Sequence, residues 1–281
     1  MPTANFAIFI LATILSHKHN GCNAQTCGHV TISQSRVING VTSQEGQWPW
    51  QAQIKRTVFG EQHHCGGTLI HPMYVLTAAH CLMDYRVPFH YQITLGKHDL
   101  QTKGPNEQIL MGSELKIHPM FNRRTYDNDI ALIKLNKPAV LTDKVNIACI
   151  PPNAVSPKPV LAGRNCFVSG WGLKSSTLAT RYLLHGDVPI ITNAECAKKM
   201  NQVNLNGGVT DNMLCAGGDG KASCHGDSGG PLVCSESDGR FVVQGVVSWG
   251  HPQCADGYYG VFARVDQYGG WISSILYPDK Y

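Results

Sequence analysis

Short apolar and β-branched runs alternate with turn residues along most of this chain, and the pattern predicts strands more than helices. Tyr91–Leu95, Ile130–Leu135, Cys166–Ser169 and Phe241–Val247 are each rich in β-branched, aromatic or apolar side chains, with Gly, Pro or Asp nearby. Asp238-Gly239 just before Phe241 marks a hairpin turn that joins Pro231–Ser235 to the strand after it. Helical signals are confined to two places. Thr192 and Glu195 form a capping-box pattern that starts a helix at Thr192, and a second helix is expected around Val265–Leu276. The Pro-containing stretch Ala139–Gly163 is the natural connection between two halves. Pattern alone therefore predicts an all-β chain and leaves a barrel or a sandwich open.

Size and charge narrow the function classes. The stretch from Val37 to Tyr281 is long enough for one large all-β domain or two smaller halves with buried cores. A net charge of +4 with 15% charged residues is mild, and no Lys/Arg run or basic stripe points to nucleic acid or a membrane surface. The 13 histidines are scattered, and none forms a His-Glu-x-x-His zinc motif. Phe6–Leu15 is a mostly apolar run, far short of the roughly 20 residues that span a bilayer. It reads as a secretory signal peptide over residues 1–24, cleaved after Ala24, although Met1–Asn5 carries no basic side chain. The product would be a secreted, extracellular protein. Of 11 cysteines, Cys22 leaves with the leader, and the even remainder in an exported chain reads as disulfides. A zinc site is disfavoured because no Cys-x-x-Cys pair is present.

Three short stretches carry chemistry. The run Cys224-His225-Gly226-Asp227-Ser228-Gly229-Gly230-Pro231 holds a serine flanked by glycines, able to sit on a tight turn whose backbone N–H groups converge on one point. A serine hydroxyl is a poor nucleophile unless a base takes its proton during attack. Thr77-Ala78-Ala79-His80-Cys81 supplies a candidate base, His80, and Asp127-Asn128-Asp129-Ile130-Ala131-Leu132 supplies a carboxylate, Asp129, to orient it. Taken singly, these are a core histidine, a turn aspartate and a surface hydroxyl. Their order, His80, Asp129, Ser228, is that of the chymotrypsin-like triad rather than the subtilisin or α/β-hydrolase order. The chain resembles the trypsin/chymotrypsin family of serine proteases from Cys27 to about Trp271.

The resemblance implies two six-stranded antiparallel β-barrels with a C-terminal helix and an active site in the cleft between the barrels. It implies the disulfides Cys65–Cys81, Cys166–Cys234, Cys196–Cys215 and Cys224–Cys254, plus Cys27–Cys149 tying a pro-segment over residues 25–36 to the protease domain over 37–281. The N–H groups of Gly226 and Ser228 would form the oxyanion hole. Ser248-Trp249-Gly250 matches the edge that pairs with an extended substrate, where backbone recognition leaves specificity to the pockets. Ala222, Ser223, Gly250 and Gly260 would line the primary pocket, and Tyr126 joins the substrate-binding residues. Arg36-Val37-Ile38-Asn39-Gly40 resembles an activation site cut after Arg36, whose new Val37 ammonium would pair with Asp227. His63 stands where the family holds that aspartate before cleavage.

The departures matter as much as the matches. Trypsins place an aspartate where this chain has Ala222, so a cationic substrate side chain would be buried unpaired. Glycine at 250 and 260 leaves the pocket open, unlike narrow-pocket elastases. The expectation is a chymotrypsin-like endopeptidase, although Cys215–Gly220 and the Cys27 pro-segment also resemble pancreatic elastases. Lys97 stands where calcium-binding relatives supply a carboxylate, which argues against calcium because an ammonium has no acceptor to offer. Tyr259 before Gly260 matches relatives with a sodium site, the one cation left open; no other cofactor or metal is implied. Expected partners are protein or peptide substrates, an activating trypsin-like protease and protein inhibitors, around a monomer. Two alternatives stand beside this reading. A catalytically inactive homologue acting as a binding module would normally have lost a triad residue or the oxyanion glycine, and all are kept here. A cascade-processing protease would normally carry a recognition module or a pocket for basic residues, and neither is present.

Overall fold

The computed structural model describes residues 27–31, 41–58, 61–151, 164–173, 180–201, 207–218, 226–252 and 257–280. Strands β2 (Gln51–Val58), β3 (Glu61–His71), β4 (Tyr74–Thr77), β5 (Tyr91–Leu95), β6 (Gln108–Ile117) and β7 (Ala131–Leu135) close into a first barrel in the order β2-β3-β4-β7-β6-β5. Strands β8 (Asn165–Gly170), β9 (Leu184–Ile191), β10 (Met213–Gly217), β11 (Pro231–Ser235), β12 (Phe241–Trp249) and β13 (Tyr259–Arg264) form the second, closed by β8 pairing with both β9 and β11. Every ladder is antiparallel, and a two-residue strand β1 (Val41–Thr42) adds to the edge of β9. The barrel alternative, not the sandwich, is the one adopted.

Alternation along the strands accounts for the closure. On β2, Ala52, Ile54 and Arg56 point inward while Gln53, Lys55 and Thr57 face outward, the two-residue period of a half-buried strand. Central strands such as β7 and β4 are almost wholly buried, and read as continuous apolar runs. Trp48, Trp50, Phe167 and Phe241 meet between the barrels with ring centroids 5.3–6.2 Å apart, so the two cores are continuous. Closing both sheets leaves few exposed edges.

The sequence-predicted strands fall within one or two residues of the observed ones. Asp238-Gly239 forms the β11–β12 turn with Gly239 at φ +80° and Glu236 N–H bonded to Arg240 O. Helix α1 (Asn193–Met200) starts as expected, with Thr192 Oγ1 accepting from Glu195 N at 3.2 Å. The box is only half closed, because the Glu195 carboxylate instead accepts from Tyr259 Oη at 3.1 Å. The C-terminal segment is a 3₁₀ turn over Val265–Tyr268 followed by α2 (Gly269–Leu276), not one continuous helix. Of the expected leader and pro-segment only residues 27–31 are described; the junctions at Ala24 and at Arg36-Val37 lie outside the described residues. Cys27 is bonded to Cys149, and Cys65–Cys81, Cys166–Cys234 and Cys196–Cys215 pair as expected. Cys224 and Cys254 lie outside the described residues.

No helix is long and apolar enough to cross a membrane among the described residues. Thr192→Ala removes the α1 cap and should cost about 1 kcal/mol. For a domain of this size that is a fall of roughly 2–4 °C in Tm, read by calorimetry; an unchanged Tm would show that packing alone holds α1.

Candidate active site

His80 sits in a single 3₁₀ turn, Ala79–Cys81, immediately after β4. The turn is stapled to β3 through Cys65–Cys81, and Thr77 Oγ1 donates to Gly66 O at 2.9 Å. Asp129 lies on the loop before β7, completely buried. Its Oδ1 accepts from His80 N at 2.8 Å and its Oδ2 lies 2.7 Å from His80 Nδ1. Ser248 Oγ, on β12 of the other barrel, donates to the same Oδ2 at 2.5 Å. A carboxylate without water needs such donors, and these three supply them from two barrels. With Asp129 as acceptor, the proton on His80 resides on Nδ1, leaving Nε2 as the basic nitrogen of the neutral ring. Burial pushes the His80 pKa down, but the charge and hydrogen bond of Asp129, helped by Asp84, outweigh it and hold it above the ordinary histidine value.

Ser228 lies on the turn before β11. Gly229 N donates to Val247 O at 2.8 Å and Gly230 N to Asp227 O at 2.8 Å, which fixes the turn on β12 and on itself. Ser228 O accepts from Gly66 N at 2.7 Å, so the turn is also anchored to β3 across the cleft. One sulfur marks how near the two stretches come: Cys81 Sγ is 3.8 Å from His80 Nε2 and 3.7 Å from Ser228 O. No hydrogen bond joins the Ser228 hydroxyl to His80 among the described residues. Such bonds commonly tighten only when substrate is bound. Gly226 is held at φ +99°, a conformation open to glycine and strained for any other residue. Among the described residues, neither its N–H nor that of Ser228 has a hydrogen-bond acceptor.

The Asp227 carboxylate packs against Gly170 at the end of β8 and against Gly172. Its Oδ1 accepts from Gly172 N at 2.8 Å, and it packs so closely on Gly172 that a Cβ there would overlap the carboxylate. His63 lies exposed on β3. Tyr126 stands edge-on to His80 with ring centroids 5.6 Å apart, and Ser248 and Trp249 end β12, with Gly250 next in the chain. Among the described residues, a Cβ at Gly250 would meet only Tyr259 O, at 3.7 Å. Gly260 lies on β13 opposite Ala216. Ala222 and Ser223, expected to line the primary pocket, and Arg36 and Val37, expected to form the activation site, lie outside the described residues.

Sequence reasoning missed two arrangements. Lys97 Nζ donates to the nearly buried Glu107 carboxylate at 2.8 Å and to Thr102 O at 3.3 Å, so an ammonium organises the 97–107 loop. Asp127 reaches Thr210 and Asn212 of the second barrel. Local sequence carries no signal of that contact. Cys65, His80 and Cys81 bring three ligand-type atoms together, but the cysteines are spent in a disulfide and offer no thiolate.

Replacing the charge beneath His80 tests this electrostatic picture. In Asp129→Asn the His80 midpoint, followed by NMR of the ring protons, should move to lower pH. A raised folded-state pKa means stabilisation that is full below the unfolded value and lost as pH rises through the folded one. The stability gap between parent and Asp129→Asn should therefore narrow as pH rises through the His80 midpoint, and a constant gap would count against the pair.

A comparison with protein families matches the Trypsin family over residues 37–272, most of the chain and both barrels. Fold, motif order and family match converge: the chain belongs to the trypsin family of serine proteases.

Proposed function

We propose that this protein is a secreted serine endopeptidase, made as a zymogen and activated by cleavage after Arg36, that cuts peptide bonds after large apolar or aromatic residues. One observation carries the catalytic part: a fully buried Asp129 joins His80 and Ser248, and the Ser228 turn is docked beside them. In this reading His80 Nε2 takes the Ser228 proton as Oγ attacks the substrate carbonyl carbon. The resulting alkoxide is held by Gly226 N–H and Ser228 N–H. His80 then returns the proton to the departing amine, leaving an acyl-enzyme on Ser228 that water hydrolyses by the same exchange. Asp129 stays ionised throughout, keeping the ring in one tautomer and stabilising the imidazolium.

Activation follows from the same electrostatics. A buried carboxylate without a partner costs several kcal/mol. The Val37 ammonium freed by cleavage would pair with Asp227, whose Oδ1 accepts from Gly172 N at 2.8 Å in the uncut chain. Arg36→Gln should block activation by a trypsin-like protease, and Asp227→Asn should be cut normally yet stay largely inactive; full activity in uncut Arg36→Gln protein would refute the scheme. The Cys27–Cys149 bond supports a pro-segment that stays attached after the cut. Non-reducing gels should keep it bound, and its release without reductant would contradict this.

Specificity rests on the pocket. An aromatic side chain buried there gains roughly 2–3 kcal/mol from area alone, whereas a guanidinium facing Ala222 would be left unpaired at greater cost. Substrate backbone would add as a strand along Ser248-Trp249-Gly250. Profiling the activated enzyme on a peptide library should show cleavage after Phe, Tyr, Leu and Trp, abolished by Ser228→Ala. A profile dominated by Arg and Lys would overturn the pocket assignment, and one confined to Ala and Val would make the pocket narrow.

A further inference from the structure

We infer that Asp127 is a positioning residue for the proposed hydrolysis: its carboxylate pins the loop before β7 to the second barrel and so fixes Tyr126 and Asp129 against His80. The inference rests on the protease reading of the site and deepens it.

The loop from Asn122 to Asp129 is strained where it matters. Tyr126 and Asn128 both adopt left-handed backbone, at φ 57° and 56°, and Asp127 lies between them. Such conformations persist in non-glycine residues only where the surroundings over-determine them. Local bonds close the loop on itself: Asn122 N donates to Asp127 O, Tyr126 N to Asn122 O, and Asp127 N to Thr125 Oγ1. None of these says where the closed loop should sit. The Asp127 carboxylate does, accepting from Thr210 Oγ1 at 2.7 Å and from Asn212 Nδ2 at 3.2 and 3.3 Å, with Asn128 Nδ2 at 3.2 Å. Tyr268 Oη adds a second tie by donating to Asn128 Oδ1 at 3.4 Å.

The receiving end is rigid. Asn193 Nδ2 at the start of α1 holds Thr210 O and Met213 O, and Arg264 N at the end of β13 holds Asn212 O. From that anchor the chain runs through Asn128, Asp129 and Ile130 straight into β7 of the first barrel. A displacement at Asp127 is therefore passed to Asp129 within two residues, and to the Tyr126 ring within one. Small misplacements of this kind cost rate far more than they cost stability.

Among the described residues, His118, on the loop after β6, and Tyr268 face Asp127, and Tyr126 and Tyr268 face Asp129. His80 faces Asp129 and, at longer range, Asp84, whose charge is balanced by Arg123 at 3.1 Å.

The test compares Asp127→Ala, Thr210→Val, Thr210→Ser and the double variant Asp127→Ala/Thr210→Val in the full chain after activation. It reads kcat, KM and the His80 midpoint, the last by NMR in a Ser228→Ala background. Asp127→Ala should lower kcat about tenfold or more with a smaller change in KM, and move the His80 midpoint to lower pH. Thr210→Val should act in the same direction by less, although it removes no charge, and Thr210→Ser should restore parental values. The double variant should be no worse than Asp127→Ala alone, because both break one clamp. Variants that lose thermal stability while kcat and the His80 midpoint stay parental overturn the inference. So does a shift in Asp127→Ala with none in Thr210→Val, which would be loss of a distant charge and not of the clamp. Should Asp127→Ala fail to fold, Thr210→Val decides alone. A parent chain without peptidase activity refutes the protease reading, while the His80 titration still decides the role of Asp127.

Discussion

A carboxylate with no exposure to solvent is the constraint around which this molecule is arranged. Desolvating an ionised aspartate costs several kcal/mol unless donors replace the lost water. Asp129 finds three of them, the backbone and ring nitrogens of His80 and the hydroxyl of Ser248. The first two come from the turn after β4 and the third from β12, so satisfying one charge brings both barrels to a single point. The barrels are closed and stiff, and the loops between their strands need only be aimed. That is the division of labour expected where reactive groups ride on loops over a rigid scaffold.

Two further links hold the aim. Gly66 N–H and Ser228 O join β3 to the Ser228 turn, so the strand bonded by disulfide to the His80 turn also holds Ser228. The geometry of the pair is thereby set by backbone, where it is least sensitive to side-chain motion. Asp227 and Gly172 form the second link. A carboxylate packed against glycine at this distance leaves no room for a side chain at 172, which ties the Ser228 turn to the segment after β8. In the proposed scheme proteolysis supplies Asp227 with the Val37 ammonium, so the desolvation cost that organises Asp129 would act there as a switch.

Much of this was legible in the sequence because it is local. Alternating apolar runs place the strands, Thr192 places the start of α1, and Gly-flanked Ser228, His80 and Asp129 each sit in a stretch that names itself. Family resemblance supplied the cysteine pairs that spacing leaves undetermined, and the four that can be seen are paired as expected. What stayed hidden is contact between distant polar residues. Glu195 completes a sequence pattern for a capping box, yet a tertiary partner, Tyr259, takes its carboxylate. The break between the 3₁₀ turn and α2 falls at Gly269-Gly270, where helix propensity is weak, and the single Tyr268 O–H is shared between Asn128 Oδ1 and Asn212 O, each at 3.4 Å.

The residues that sequence reading missed share a physical character. Lys97 with Glu107, and Asp127 with Thr210 and Asn212, are charged or polar groups whose partners fix a loop rather than build a core. Cores tolerate exchange among apolar residues of similar volume, so hydrophobic pattern alone specifies them well. A loop has no such redundancy: its position is decided by one or two directional bonds, each meaningful only once the fold has brought the partners together. In the first barrel an ammonium and a buried carboxylate hold the 97–107 loop; between the barrels a carboxylate and two polar side chains hold the loop beside His80. The hydrophobic pattern decides that there are two barrels, and these few directional polar bonds decide where their loops meet.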